Sequence, residues 1–332
     1  MASGSVGSGL GSYLSPILRG AISCGDMHMK KPPRRRPRIL AALGVAATLG
    51  FPCLPLAGAA AEQTLGGKAA VRFTVIPRYN PLLMVKSYQP IMDYLSEVTP
   101  FRFELKLAKT YEEAVALLRT GEVEFASLGD VTFTEAYLSF HAVPLVRPRN
   151  VGGEPWYQSV IVVRRDSHVQ TLADLKGRSF AFGNVHSTSG NLTPRLMLFR
   201  AGVHLSDLGT YVNLGKHDSV AKAVLKGQVD AGAVKDVIAR RYQAHGLRFL
   251  AQSDPIPSVP VVCRPETPAP LREAVRAALL GIDPSDPALR GRLSDWDPEF
   301  RNGFAEARVE DYGRIFQEME SIGQTCGEGC HR

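Results

Sequence analysis

Two distant stretches of the chain read as the same unit. Residues 113–130 run Glu-Ala-Val-Ala-Leu-Leu-Arg-Thr-Gly-Glu-Val-Glu-Phe-Ala-Ser-Leu-Gly-Asp, and residues 219–236 run Ser-Val-Ala-Lys-Ala-Val-Leu-Lys-Gly-Gln-Val-Asp-Ala-Gly-Ala-Val-Lys-Asp. Each is a helix-like run, a glycine stop and a short strand ending in an acid. One offset pairs Gly121 with Gly227, Val123 with Val229, Glu124 with Asp230, and Asp130 with Asp236. A unit used twice and far apart is a structural duplication, not a tandem array. It predicts two similar lobes, the alternative being a chance likeness of two common helix-glycine-strand units.

The rest of the pattern alternates between strand and helix, which predicts an α/β fold with largely parallel sheets. Val71–Ile76 alternates as a strand, and Pro81 to about Glu97 carries apolar residues at helical spacing. Phe101–Leu107 is a second strand. Thr110 opens a helix with Glu113 three positions on, a capping box, and Gly121 stops it before the strand Val123–Ser127. Two β-rich runs, Tyr157–Arg164 and Ser258–Cys263, flank the second copy and are read as two interlobe crossings, which would make a hinge. Lobe one is then residues 62–156 plus 258–332, closed by helices near 267–281 and 309–320, and lobe two is residues 157–257.

Residues 1–61 read as an N-terminal extension and a cleaved signal peptide. A basic block, Lys30 to Arg38, precedes an uncharged apolar run over 39–57, and Ala57-Gly-Ala-Ala-Ala61 supplies small residues for cleavage. The Gly- and Ser-rich residues before the block place the translation start at Met27 or Met29. The whole chain has 39 Lys and Arg against 32 Asp and Glu. The leader holds seven of the bases and one acid, so the mature chain has 39 − 7 = 32 bases and 32 − 1 = 31 acids. Near-neutrality excludes a polyelectrolyte binder of nucleic acid or anionic lipid. An apolar fraction of 45% excludes disorder for the bulk. A secretory leader places the protein in the periplasm.

Outside the leader lie Cys263, Cys326 and Cys330. Cys263 sits in an apolar run and reads as a buried small hydrophobe. Cys326 and Cys330 can pair in an oxidising compartment or remain free. With His331 they approach the C-x-x-C-H haem signature, but with three residues between the cysteines instead of two.

The segment from Arg178 to Pro194 is the most informative chemically. It reads as a strand, a short loop, and a helix whose first turn is Ser187-Thr188-Ser189-Gly190. Free N–H groups at a helix start attract anions, the three hydroxyls add neutral donors, and glycine keeps the backbone accessible. Ordinary N-capping is the alternative. His217, at the start of the next helix, can donate to the same oxyanion. Asp130 and Asp236 fall at carboxyl ends of strands, where ligands bind in open α/β sheets. There they would answer a ligand ammonium or a protonated oxyanion, or merely cap helices. Enzyme motifs are missing. A Ser189, His217, Asp236 triad can be written down, yet nothing in the spacing activates the serine, and the eight histidines show no metal-ligand spacing. The chain is read as a non-enzyme without cofactor or metal.

From about residue 71 to 282 the chain resembles the periplasmic substrate-binding proteins of phosphate, phosphite and phosphonate ABC transporters. The likeness rests on Val75-Ile-Pro-Arg-Tyr79, on Gly121–Gly129, on Tyr157–Ser167 with Leu172–Gly177, and on Ser187-Thr-Ser-Gly190 with Gly227–Ala231. It implies a two-lobe periplasmic-binding-protein fold, type II-like, closing on its ligand like a clam. It also implies that Ser187, Thr188 and Ser189 hold the phosphonate oxygens, that His217 joins them, and that Tyr157 at the first crossing touches ligand. Gly190 and Tyr79 complete the expected site with Asp130 and Asp236. The sequence departs from the family at Leu128, where the phosphonate binders place an aromatic, and at Asp130, where many members have Pro or Asn.

The expected function is capture of a small oxyanion, a phosphonate or related phosphorus oxyanion, by a monomer that closes and docks on a membrane permease. The alternative is an oxyanion sensor signalling to a membrane histidine kinase, for which a binding thiol would be the mark. A redox protein using the C-terminal cysteines and a hydrolase are the remaining classes.

Overall fold

The computed structural model describes residues 68–326, with side chains through 322. The leader and the Cys326, Cys330, His331 tail expectations lie outside the described residues or side chains. In chain order the first half contains β1 (Ala69–Val75), α1 (Pro81–Val98), β2 (Phe101–Leu105), α2 (Tyr111–Thr120), β3 (Phe125–Ser127), α3 (Asp130–Phe140), β4 (Val143–Pro148), β5 (Trp156–Tyr157), β6 (Ser159–Arg164) and β7 (Ser179–Phe182). Then come α4 (Thr193–Arg200), β8 (Thr210–Asn213), α5 (His217–Leu225), β9 (Ala231–Lys235), α6 (Asp236–Gln243), β10 (Leu247–Gln252), β11 (Ile256–Pro257) and β12 (Val261–Cys263). The chain ends with α7 (Ala269–Leu280), α8 (Pro287–Leu293), β13 (Phe304–Glu306) and α9 (Gly313–Cys326).

The strands form two main sheets, ordered β13-β4-β12-β3-β1-β2 and β10-β6-β9-β7-β8. This is the expected two-lobe α/β fold, but the sheets are mixed rather than largely parallel, because β12 and β6 enter antiparallel after the parallel trios. Read from the parallel edge, the first five strands of each sheet match, and β13 has no counterpart. The trio β2, β1, β3 is parallel and meets an antiparallel β12, which pairs with β4. The trio β8, β7, β9 is parallel and meets an antiparallel β6, which pairs with β10.

The duplicated unit occupies equivalent places in the two sheets, and its residues do the same work. Gly121 and Gly227 both follow a helix with left-handed backbones, φ 76° and 67°, a conformation glycine adopts without steric cost. Each also lies under an arginine from the antiparallel fourth strand or just past it. A Cβ on Gly121 would meet the Arg264 guanidinium at 2.8 Å, and one on Gly227 would meet Arg164 at 2.5 Å. The aligned acids hold the neighbouring strand. Glu124 accepts from the Arg72 N–H at 2.6 Å and Asp230 from the Ser179 N–H at 2.9 Å. Asp130 and Asp236 each open the helix that follows.

The helix starts follow from local sequence. Asn80 caps α1 through Leu83 N–H, and Pro81 occupies the first turn. Thr110 caps α2 by accepting from Glu113 N–H at 3.1 Å, while the Glu113 carboxylate reaches the Lys109 N–H, one residue earlier than a capping box requires.

The crossings are shorter than the β-rich runs suggest. Among the described residues only β5 and β11 pair between the lobes, Tyr157 opposite Ile256 and Trp156 opposite Pro257, while the runs continue as β6 and β12 inside the sheets. The terminal helix also differs from expectation. It does not merely close lobe one: Ile315 packs in one apolar cluster with Val131 of lobe one, Leu192 and Leu196 of lobe two, and Tyr157, Ile256 and Val259 of the crossings. Its register puts Ile315, Met319 and Ile322 on one face at helical spacing.

Several polar contacts close the lobes on each other, Arg200–Glu318 and Arg314–Asp254 at the terminal helix among them. Val131 N–H donates to Thr188 Oγ1 at 3.0 Å, Lys235 Nζ pairs with Glu299 at 2.8 Å, and His186 bridges two carboxylates. Its Nδ1 lies 2.7 Å from Glu135 and its Nε2 3.1 Å from Glu112. The hydrogen bond to Glu135 raises the His186 pKa against the opposing effect of burial, and the charges of Glu135 and Glu112 raise it further. The imidazolium can serve both acids, whereas the neutral ring has one N–H for two acceptors. The raised value makes this stabilisation complete below the unfolded pKa of about 6.5 and lost as pH rises through the folded value. His186→Ala is expected to lower stability by about 0.5–1 kcal/mol near pH 6, with the difference from the parent shrinking towards about pH 9. Urea unfolding of both proteins across that range checks it. A difference independent of pH would show that the imidazolium does not act as the bridge.

Candidate functional site

A small cavity of about 10 Å³ lies where the lobes meet, room for little more than one water-sized group. Lobe one contributes Ile76, Arg78, Tyr111 and Gly129; lobe two contributes Ser187, Thr188, Ser189, His217 and Lys235; the crossings contribute Tyr157 and Val259.

The hydroxyl turn follows β7 and enters α4 through a π-helical turn over Thr188–Leu192, not a plain α start. Ser187 caps it, its Oγ accepting from Gly190 N–H at 3.0 Å. Gly190 does not line the cavity; its role is close approach. A Cβ there would meet His217 Cε1 and Ser187 Oγ at 2.9 Å and Gly183 Cα at 3.0 Å, so only glycine lets the turn press against the histidine. Ser159 Oγ donates to the Ser189 carbonyl at 2.7 Å and pins the turn to β6.

His217 is the first residue of α5, with Lys216 at the cap position. Its Nδ1 accepts the Lys235 backbone N–H at 3.3 Å. Burial and the nearby Lys235 and Arg78 charges push its pKa down to about 3. A neutral ring that accepts at Nδ1 carries its proton on Nε2. That Nε2 lies 3.4 Å from Ser187 Oγ, so His217 offers the cavity a neutral N–H donor. Tyr111 opens α2 on the opposite wall, its phenol pushed up to about 12 by burial, and remains a neutral donor as well.

Charge enters through three buried residues. Arg78 Nη1 donates to Tyr88 Oη at 2.9 Å and to Glu299 at 2.9 Å, and Lys235 Nζ donates to the same Glu299 oxygen at 2.8 Å. Burial opposes ionisation of all three, but mutual attraction keeps Arg78 charged and holds the Glu299 carboxyl below its ordinary range. Burial pulls the Lys235 pKa down, and Glu299 supports it. Lys235 also lies 3.7 Å above the Tyr157 ring, a cation–π contact. Two cations share one carboxylate, burial and Glu299 raise the pKa of the second buried carboxyl, Asp297, and Arg78 Nη2 is buried with no hydrogen-bond partner.

Ser187, Thr188, Ser189, His217 and Tyr157 thus meet at one cavity. The other expected residues stand apart. Asp130 lies behind the wall: its Oδ2 accepts the Tyr157 hydroxyl at 2.8 Å, and burial raises its pKa to about 7 against Lys235 and that hydrogen bond. Asp236 lines a second cavity and pairs with Arg240 at 3.0 Å. Tyr79 is fully buried beneath the Arg241 guanidinium, 4.8 Å from its ring centre, and does not line the small cavity. The Ser189, His217, Asp236 triad is not assembled, since Asp236 faces Arg240 and His217 Nδ1 takes a backbone N–H. Cys263 lies in the middle of the first sheet, its thiol pushed up to about 11 by burial, and does not line the cavity.

Sequence reading missed Arg78, Tyr111, Lys235 and Glu299. For two of them the signal was present, because the offset that pairs Gly121 with Gly227 also pairs Tyr111 with His217 and Gly129 with Lys235. Glu299 carried none, since its partner Arg78 lies 221 positions away.

A family model described as the periplasmic substrate-binding protein of phosphonate ABC transporters matches residues 73–312. The phosphate-import protein PhnD of Mycolicibacterium smegmatis is 29% identical over 183 residues, 52% of this chain and 57% of that protein, so the chain spans little more than half of this relative. The phosphonates-binding periplasmic protein of Escherichia coli is 24% identical over 298 residues, covering 86% of each chain. Among solved structures, a binding protein component of an ABC phosphonate transporter from Pseudomonas aeruginosa superposes with a TM-score of 0.70 at 21% identity, over 78% of this chain and 88% of that one. PhnD1 of Prochlorococcus marinus, solved with methylphosphonate, gives 0.69 at 20% identity, over 77% and 98%. With 240 of its 332 residues inside the family model (312 − 73 + 1 = 240), the chain belongs to the periplasmic substrate-binding proteins of phosphonate ABC transporters.

Proposed function

We propose that this chain captures a small phosphorus oxyanion, a phosphonate or a close relative, between its lobes and presents it to an ABC permease after export by the leader at residues 1–61. One observation carries the choice of ligand. The cavity gathers neutral donors from both lobes around the Arg78 guanidinium, whose Nη2 has no partner. Neutral donors fit a tetrahedral oxyanion without demanding full charge neutralisation, and charge-assisted hydrogen bonds supply the strength. Ser187, Thr188 and Ser189 hold the oxygens from lobe two with His217 Nε2–H, while Arg78 and Tyr111 meet them from lobe one. Ligand contacts to both lobes favour the closed state over the open one.

Asp130 acts through Tyr157. By accepting the phenol proton it turns the Tyr157 lone pairs towards the cavity, where they can accept from a protonated ligand oxygen. Tyr157 therefore reads protonation, and Asp130 is its positioning residue. No step requires a covalent intermediate, and the serine beside His217 has no base, because the ring offers a donor on that side. The sensor reading loses its mark, since Cys263 is buried in β12 away from the cavity.

Two measurements test this. Titration calorimetry with methylphosphonate, phosphite and phosphate is expected to show one-site binding. Ser189→Ala should weaken it about 10–100-fold, as loss of a hydrogen bond to a charged group does. The Ser189 hydroxyl caps no backbone group, so stability should not change. Absence of binding by all three ligands, or an unaffected variant, would refute the assignment.

Asp130 gives the second. Its raised folded value means that the native state binds a proton the unfolded chain has released, so stability falls as pH rises from about 4 to about 7. Asp130→Asn keeps an acceptor for Tyr157 without the buried charge. Relative to the parent, it should gain about 1–3 kcal/mol in urea unfolding between about pH 5 and pH 8. A constant difference would mean that Asp130 is ionised throughout.

A further inference from the structure

A second, larger cavity of about 340 Å³ opens beside the first, within the size range of small-molecule sites. Lys235 and Tyr157 line both, so the cavities share a wall. The larger one is bounded by the end of β4, the first turn of α6 and the segment 298–302, and it too lies between the lobes.

Its charge is one-sided. Five cations line it against two carboxylates, Asp236 and Glu299. Both carboxylates are committed, Asp236 to Arg240 and Glu299 to Arg78 and Lys235. Three guanidiniums remain without a carboxylate partner among the described residues. Arg149 donates to the carbonyls of Phe304 and Gly153, Arg241 lies over the Tyr79 ring, and Arg301 lines the cavity with no ion pair. Guanidinium forks match planar carboxylates and phosphates in geometry. An ammonium entering here would meet five cations, while both acids are already bound, Asp236 to Arg240 and Glu299 to Arg78 and Lys235.

We propose that this arginine-lined cavity receives a second anionic group of the ligand, so that the preferred cargo is a phosphonate bearing a carboxylate or second phosphoryl group on its organic arm, not an aminoalkylphosphonate. The inference rests on the phosphonate reading of the small cavity and adds the chemistry of the arm. It reverses the expectation that Asp130 or Asp236 answers a ligand ammonium.

The test is a calorimetric comparison of methylphosphonate, 2-aminoethylphosphonate and 3-phosphonopropionate on the full mature chain. 3-Phosphonopropionate should bind about 10-fold or more tightly than methylphosphonate, the gain of one charge-assisted pair, and 2-aminoethylphosphonate more weakly than either. Arg301→Gln and Arg241→Gln should each cut the preference for 3-phosphonopropionate. Arg301→Gln should leave methylphosphonate affinity within about twofold, which also certifies the fold. Equal binding of 3-phosphonopropionate and methylphosphonate, tighter binding of 2-aminoethylphosphonate, or a preference that survives both substitutions would overturn the inference while leaving the phosphonate site standing. Failure of every ligand, methylphosphonate included, would instead remove the phosphonate reading and this inference with it.

Discussion

Glu299 holds the closed cleft together. It is a buried carboxylate that accepts from Arg78 of its own lobe and from Lys235 of the other. Each charge would be costly to bury alone; together they are tolerable because each has a partner at hydrogen-bond distance. The turn that presents Glu299 is fixed by its neighbour, as Asp297 accepts the Glu299 N–H at 3.0 Å. Removing one member of such a group typically costs about 3–5 kcal/mol, because the survivors remain buried and unpaired. The same group sets the electrostatics of the site, since two cations share one carboxylate and Arg78 Nη2 is left without a partner.

The duplication explains why the cleft holds a mixed set of donors. The two lobes present equivalent positions to the cleft, but the residues at those positions have diverged. Tyr111 stands where the other lobe has His217, and Gly129 where it has Lys235. The loop after β1 supplies Arg78 where the loop after β7 supplies three hydroxyls. One backbone plan used twice therefore gives an asymmetric cleft, with hydroxyls, a neutral imidazole and Lys235 on one side and Arg78 and Tyr111 on the other. The acids that open α3 and α6 diverge in environment rather than identity. Both are buried with raised pKa values, but Asp130 accepts from Tyr157, whereas Asp236 pairs with Arg240 at the edge of the larger cavity.

Closure is distributed. The Lys235–Glu299 pair sits in the interior, the Val131–Thr188 hydrogen bond ties a helix start to the hydroxyl turn, and His186 bridges Glu112 and Glu135 nearer the surface. The apolar cluster around Ile315 lets the terminal helix touch both lobes and the crossings at once. Moving the lobes apart must disturb all four.

The order of strands and helices, the duplicated unit and the Ser187-Thr-Ser-Gly190 turn were legible in the sequence because each rests on local rules: side-chain periodicity, caps, glycine stops, and hydroxyls at a helix start. The two-lobe plan was legible for the same reason, since a repeated local unit folds to the same local structure. Which charges share the cleft was decided only by the tertiary structure. Arg78 and Glu299 are remote in the chain and meet through the folding of lobe one, and nothing in either segment announces the other. Whether Asp130 binds ligand or stands behind a tyrosine, and whether Asp236 is open or paired, depends on burial and on neighbours from other elements. A carboxylate's chemistry is set by its surroundings more than by its residue type, and only the fold supplies those surroundings.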